Sequence, residues 1–90
     1  MPWLKRFLCV VALLSALPSA LAAPPSVYLE ELTSPEVAAA IQAGQTTILL
    51  PVGGTEQNGP HMVLGKHNVR ARVLAGRIAR AFGTALVAPV

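Results

Sequence analysis

Thr46–His67, TTILLPVGGTEQNGPHMVLGKH, joins a β-branched apolar run to a polar loop, and that junction decides the architecture. Thr46–Val52 carries no polar/apolar alternation, which suits a strand covered on both faces, as in a parallel sheet. Gly53-Gly54 ends the run and a polar loop continues to Gly65. From about His67 to Phe82 the period becomes helical. Ala71, Leu74, Ala75, Ile78 and Phe82 fall on one face, expected to be the covered one; Arg70, Arg77 and Arg80 fall opposite, with Arg72 on the flank. The arginines read most simply as a solvated face or a subunit contact. Gly83 is placed to cap the helix, and Thr84–Val90 (TALVAPV) reads as a second buried strand. Strand, loop, helix, strand is a βαβ unit, so the chain is expected to be α/β with a mostly parallel sheet and a right-handed crossover.

Upstream, Thr33-Ser34-Pro35-Glu36 has the form of a helix start. A hydroxyl accepts from free N–H groups, Pro35 has no N–H to leave unpaired, and Glu36 suits the positive end of the dipole. The helix is expected over Pro35–Ala43, with Gly44 as a left-handed C-cap. Residues 23–27 read as an extended, Pro-containing lead-in. Residues 1–22 have the order of a secretory signal: Lys5 and Arg6, an apolar run Phe7–Leu17, Pro18, then Ala20-Leu21-Ala22 as a small-x-small cleavage pattern. The run is shorter than the roughly 20 residues of a spanning helix, so no stable membrane anchor is expected. Export to a secreted or periplasmic location follows from this reading.

Cleavage after Ala22 removes Cys9, the single cysteine of the chain, so no disulfide is expected in residues 23–90. Lys5 and Arg6 leave with it, so the basic character that remains rests largely on four arginines of one helix, against Glu30, Glu31, Glu36 and Glu56, without the dense basic stripe and stacking aromatics that nucleic acid requires. A chain of about 60 residues buries only about 60% of its unfolded surface. Val90 also lies within an apolar run lacking a terminating turn, and the chain is therefore expected to be the front part of a longer protein.

Sites of open α/β sheets form beyond the carboxyl ends of strands. The loop after the first strand, Gly53 to His67, contains both histidines and Glu56. Glu56, Asn58, His61 and His67 offer the oxygen and nitrogen donors that divalent transition metals accept. A phosphate-cradling loop fits poorly: Pro60 rather than Lys follows Gly59, Gly59 and Gly65 are one residue too far apart, and His67 follows Lys66. Glu56 would also repel phosphate. On residue types alone, a purely structural loop, bent at its glycines, stands beside the metal site.

The run LLPVGGTEQNGPHMVLGKH resembles the creatininase family, in which a buried strand leads into G-[SG]-x-E-Q-H-G-P-H-L-P-L-x-x-D. ELTSPEVAAAIQAGQTT is similar to that family's first helix and turn, and the resemblance covers Tyr28–Val90. It implies a three-layer α/β hydrolase with a two-metal centre of zinc or manganese, incomplete in this chain. It also implies cleavage of C–N bonds in small amides and homohexameric assembly. The family's glutamate ligand matches Glu56. Its histidine ligand two residues later is here Asn58, and the aspartate that bridges both metals is here His67. His61 matches a second histidine, not usually counted as a ligand, and is a candidate to support a ligand or touch substrate. The remaining ligands, a later histidine and glutamate, would lie beyond Val90.

These two departures change the chemistry. Each oxygen of a carboxylate can bind one of two cations, whereas a neutral imidazole has one free lone pair. An amide oxygen is also a poorer zinc donor than imidazole. The expectation is a retained but altered site: Glu56, His67 and Asn58 around one divalent metal rather than two, in an exported amide hydrolase. A catalytically silent member of the fold that binds a small molecule or a partner is the alternative. A small secreted protein with no enzyme role is the third reading.

Overall fold

The computed structural model describes residues 23–90. The expected signal segment, residues 1–22, lies outside the described residues. A short 3-10 turn, Leu29–Glu31, precedes helix α1 (Ser34–Gln42), strand β1 (Thr47–Leu49), helix α2 (Lys66–Phe82) and strand β2 (Ala85–Val87). β1 and β2 are parallel, with Thr47 opposite Ala85, Ile48 opposite Leu86 and Leu49 opposite Val87. The expected βαβ unit is present.

Both strands are shorter than Thr46–Val52 and Thr84–Val90. The Thr84 carbonyl accepts from the Thr47 N–H at 3.1 Å, and the Leu49 carbonyl accepts from the Ala88 N–H at 2.9 Å. The ladder stops short of Pro51 and Pro89, neither of which has an N–H to donate. β2 is buried at all three residues, as expected of a central strand. β1 is only half covered, with Ile48 48% exposed, because it forms one edge of the described sheet.

The other side of β2 is filled from the N-terminal lead-in. Tyr28 makes a parallel bridge to Val87, and the Val87 N–H donates to the Val27 carbonyl at 2.7 Å. Residue 27, expected as the end of a lead-in, is thus part of the sheet. Tyr28, Ala75, Ala79, Ala85 and Val87 form the buried cluster, with Val27 and Leu49 packed against it.

α2 seats on the sheet through its smallest residues, Ala75, Gly76 and Ala79, and not through the larger apolar ones. Of the expected face Ala75 is buried, whereas Leu74 and Phe82 are more than half exposed and Ile78 nearly so, which corrects the expectation for the larger side chains. The reason is Tyr28. Its hydroxyl donates to the Arg72 carbonyl at 3.1 Å, and a Cβ on Gly76 would collide with that hydroxyl and lie 2.7 Å from ring atom Cζ. A helix this close to an aromatic ring needs small residues at the contact. Leu74 and Ile78, with Leu49–Val52, line an open cleft instead.

Arg72 also departs from the expected solvated face. Its guanidinium lies 3.8 Å from the Tyr28 ring centre and pairs with Glu31 at 2.6 Å and Glu30 at 3.5 Å. A hydrogen bond from the Ser26 hydroxyl, and then Arg72, hold the Glu31 carboxyl below its ordinary value.

α1 begins and ends as its sequence dictates. The Thr33 hydroxyl accepts from the Glu36 N–H, and the Glu36 carboxylate reaches back to the Thr33 N–H at 3.0 Å. The Thr33 hydroxyl, and after it the Thr33 N–H, lower the Glu36 pKa. At the other end Gly44 takes φ +101°. The Gly44 N–H bonds the Ile41 carbonyl and the Gln45 N–H bonds the Ala40 carbonyl, the paired pattern of a Schellman cap. No helix among the described residues is long and apolar enough to cross a membrane.

Candidate functional site

Loop 50–65 leaves the carboxyl end of β1 and returns to the first turn of α2, so the end of the strand and the positive end of a helix face one region. Gly53 passes so close to Asn68 that a Cβ there would lie 3.0 Å from the Asn68 Cα and collide with its Oδ1. The next N–H, that of Gly54, donates to Asn68 Oδ1 at 2.9 Å. A Cβ on Gly54 would occupy the place of a Glu56 carboxylate oxygen, so this glycine makes room for Glu56 to fold back.

Glu56 Oε1 and His67 Nε2 are 2.7 Å apart, a hydrogen bond with neutral imidazole and an ion pair once it is protonated. The Lys66 ammonium donates to the Glu56 backbone carbonyl at 2.9 Å. Carboxylate and imidazole are partly open to solvent, at 61% and 40% side-chain exposure, so both can take a ligand from the cleft. Val52, Gly53, Glu56, His67, Arg70, Ala71 and Leu74 line that cleft of about 320 Å³, apolar on the strand and helix sides and charged at the rim.

Of the four residues expected to carry chemistry, Glu56 and His67 meet. Asn58 is exposed on the loop and has no hydrogen bond to either of them among the described residues. His61 turns its ring back over the loop: a Cβ at Gly59 would lie 3.0 Å from His61 Cε1 and 3.1 Å from Nδ1. Gly59 itself has φ +86°, where a side chain would be strained. Its N–H donates to Gln57 Oε1 at 2.8 Å, which closes the turn between Glu56 and His61. No three His, Cys, Asp or Glu side chains converge among the described residues.

Sequence reasoning passed over Lys66, Asn68 and Arg70. Lys66 and Asn68 flank His67 directly, and that adjacency was the available signal: three consecutive polar residues open a helix whose N-cap, Gly65, has no side chain to offer.

The family model for creatininase, described as creatinine amidohydrolase, matches residues 30–90. A curated creatinine amidohydrolase of Pseudomonas putida is 39% identical over 64 residues, which are 71% of this chain and 24% of that protein. Among solved structures, a creatinine amidohydrolase (creatininase) superposes with a TM-score of 0.64 at 38% identity, covering 72% of this chain and 25% of that one. A mutant creatininase of the Zn-Zn type gives a TM-score of 0.63 at 39% identity, covering 71% and 24%. The chain thus spans about a quarter of the length of the relatives it matches. With the family model matched over most of its length, and strand, loop and helix arranged as in the solved relatives, this chain belongs to the creatininase family.

Proposed function

We propose that this chain is the N-terminal part of an exported hydrolase that cleaves an amide-type C–N bond in a small molecule, with Glu56 and His67 as ligands of a divalent metal. The observation that carries the reading is the 2.7 Å meeting of a carboxylate and an imidazole beyond the carboxyl end of β1, at the wall of an open cleft. The donor set fits such a metal. It joins one anionic oxygen to one imidazole nitrogen, the types that zinc and manganese accept, and the proton they share is the one a cation displaces. Asn58, two residues along the loop from Glu56, is the third donor in this reading, and the remaining ligands come from elsewhere in the full-length protein. His61 is left to support a ligand or to touch substrate.

A bound divalent ion supplies a Lewis acid for the amide carbonyl and lowers the pKa of water. The residues of this chain do the holding. Glu56 brings the negative charge, its carbonyl fixed by Lys66. His67 brings a nitrogen donor from the first turn of α2. Val52, Ala71 and Leu74 present an apolar wall to substrate, and Arg70 sets a positive charge at the rim. One metal per subunit, rather than the two of a Zn-Zn relative, follows from the imidazole at position 67, which cannot bridge.

The test is elemental analysis of the full-length protein, dialysed against a weak chelator, together with turnover of cyclic and linear amides. About one zinc or manganese per subunit with measurable hydrolysis is the expected result. A protein with neither metal nor turnover is the silent binding member instead. Material recovered outside the cytoplasm should begin at or within a residue or two of Ala23; an intact mass retaining Met1 removes export from the reading.

A further inference from the structure

The same helix position is spent differently in the two helices. In α1 the third residue, Glu36, turns back to the N–H of its own N-cap, as a capping box requires. In α2 the third residue is Asn68, and its side-chain oxygen accepts from Gly54, in the loop leaving β1. The N-cap of α2, Gly65, receives no side-chain bond at all. Gly65 has no side chain to cap α2, and the oxygen at the third position, free to bond back to the N-cap N–H, holds the loop instead.

The neighbours of Asn68 do related work. Lys66 donates to the Glu56 carbonyl and His67 bonds the Glu56 carboxylate. Three consecutive residues, Lys66, His67 and Asn68, therefore grip Gly54–Glu56 at three points, and Gly53 has no Cβ to keep the two segments apart. The outer two of these points, at Asn68 and Lys66, lie on either side of the His67–Glu56 contact along α2.

We infer that Asn68, assisted by Lys66, is a positioning residue that fixes the Glu56 carboxylate against His67 and so presents the two as a preformed ligand pair. The inference rests on the metal reading for what the pair is used for, but the positioning itself is visible without metal. Partners that orient ligands typically contribute 10–100-fold to metal affinity.

The experiment uses the full-length protein with Asn68→Ala, Asn68→Asp and Lys66→Met, each checked for an unchanged cooperative melt. Two readouts are taken: the ring nitrogen signals of His67 by NMR in the metal-free protein, and zinc and manganese affinity by competition with a chromogenic chelator. Asn68→Ala should shift the His67 signals toward those of a free imidazole and weaken metal binding by about tenfold or more. Asn68→Asp keeps an oxygen acceptor for Gly54 and should restore both. Lys66→Met should weaken binding by a few-fold, and it carries the test if Asn68→Ala does not fold. Unchanged His67 signals and unchanged affinity in Asn68→Ala overturn the inference, as does failure of Asn68→Asp to restore the His67 signals. Ring signals that move in a protein that binds no metal, wild type included, uphold the positioning and remove the metal reading instead.

Discussion

At position 67 an imidazole faces the Glu56 carboxylate at 2.7 Å, so replacing it by a carboxylate sets two like charges side by side unless a cation lies between them. In the full-length protein, Asn58→His with His67→Asp is expected to raise the metal content from one to two per subunit. The pair of changes returns a carboxylate able to bridge and an imidazole to complete the second ion's shell. His67→Asp alone should do less, and Glu56→Gln should weaken metal binding in either background. Elemental analysis after dialysis decides it; two metals in the unaltered protein would show that His67 does not stand in for the bridge. At this scale the sequence was half legible. Glu56 and His67 stood out because both histidines and a carboxylate crowd one loop after a buried strand. Asn68 did not, because its partner lies 14 residues away and only the folded return of the loop brings Gly54 to it.

Among the elements, α1 could be read almost to the residue, since its stop and start signals are local: a hydroxyl, a glutamate three residues on, a glycine after the last turn. The seating of α2 could not. Periodicity alone favoured the face with Leu74 and Ile78, while the packed stripe is Ala75, Gly76 and Ala79, chosen by a tyrosine far away in the chain. Gly76→Ala separates the two influences. Helix propensity by itself favours alanine over glycine by about 1 kcal/mol. Overpacking against a fixed ring typically costs about 1–3 kcal/mol. The collision with Tyr28 should win, with a net loss of up to about 2 kcal/mol by chemical denaturation of the full-length protein. In a Tyr28→Leu background the same change should cost much less or stabilise, a coupling that a double-mutant cycle reads directly. Equal effects in both backgrounds would mean that the ring does not set the helix's approach.

Over the whole described chain, apolar surface is unevenly covered. β2 is enclosed, while Leu50, Val52, Leu74 and Ile78 line or border open clefts, with Val52 87% exposed. On the other face of the sheet, Ile48 and Leu86 share an apolar cleft with Val37 and Ile41 of α1. Contiguous exposed apolar surface of this kind is where further protein packs. Residues 23–90 expressed alone are accordingly expected to bind a hydrophobic dye, to self-associate, and to hold zinc or manganese only weakly through Glu56 and His67. A monomer of that segment with tight, stoichiometric metal would refute this. The α/β class was legible because strand, loop and helix each carry a local pattern; the third strand position, taken by Val27 and Tyr28, has no such pattern and depends on β2 to define it.

That third position has a consequence in time. A ribosome delivers Tyr28 long before Val87, its partner across the sheet. At roughly 5–20 residues per second, several seconds separate the two. For most of that interval the ring that seats α2 has no helix to meet, and Glu30 and Glu31 have no guanidinium until Arg72 follows. The first residues of the described chain therefore wait for β2 before they find their place in the sheet.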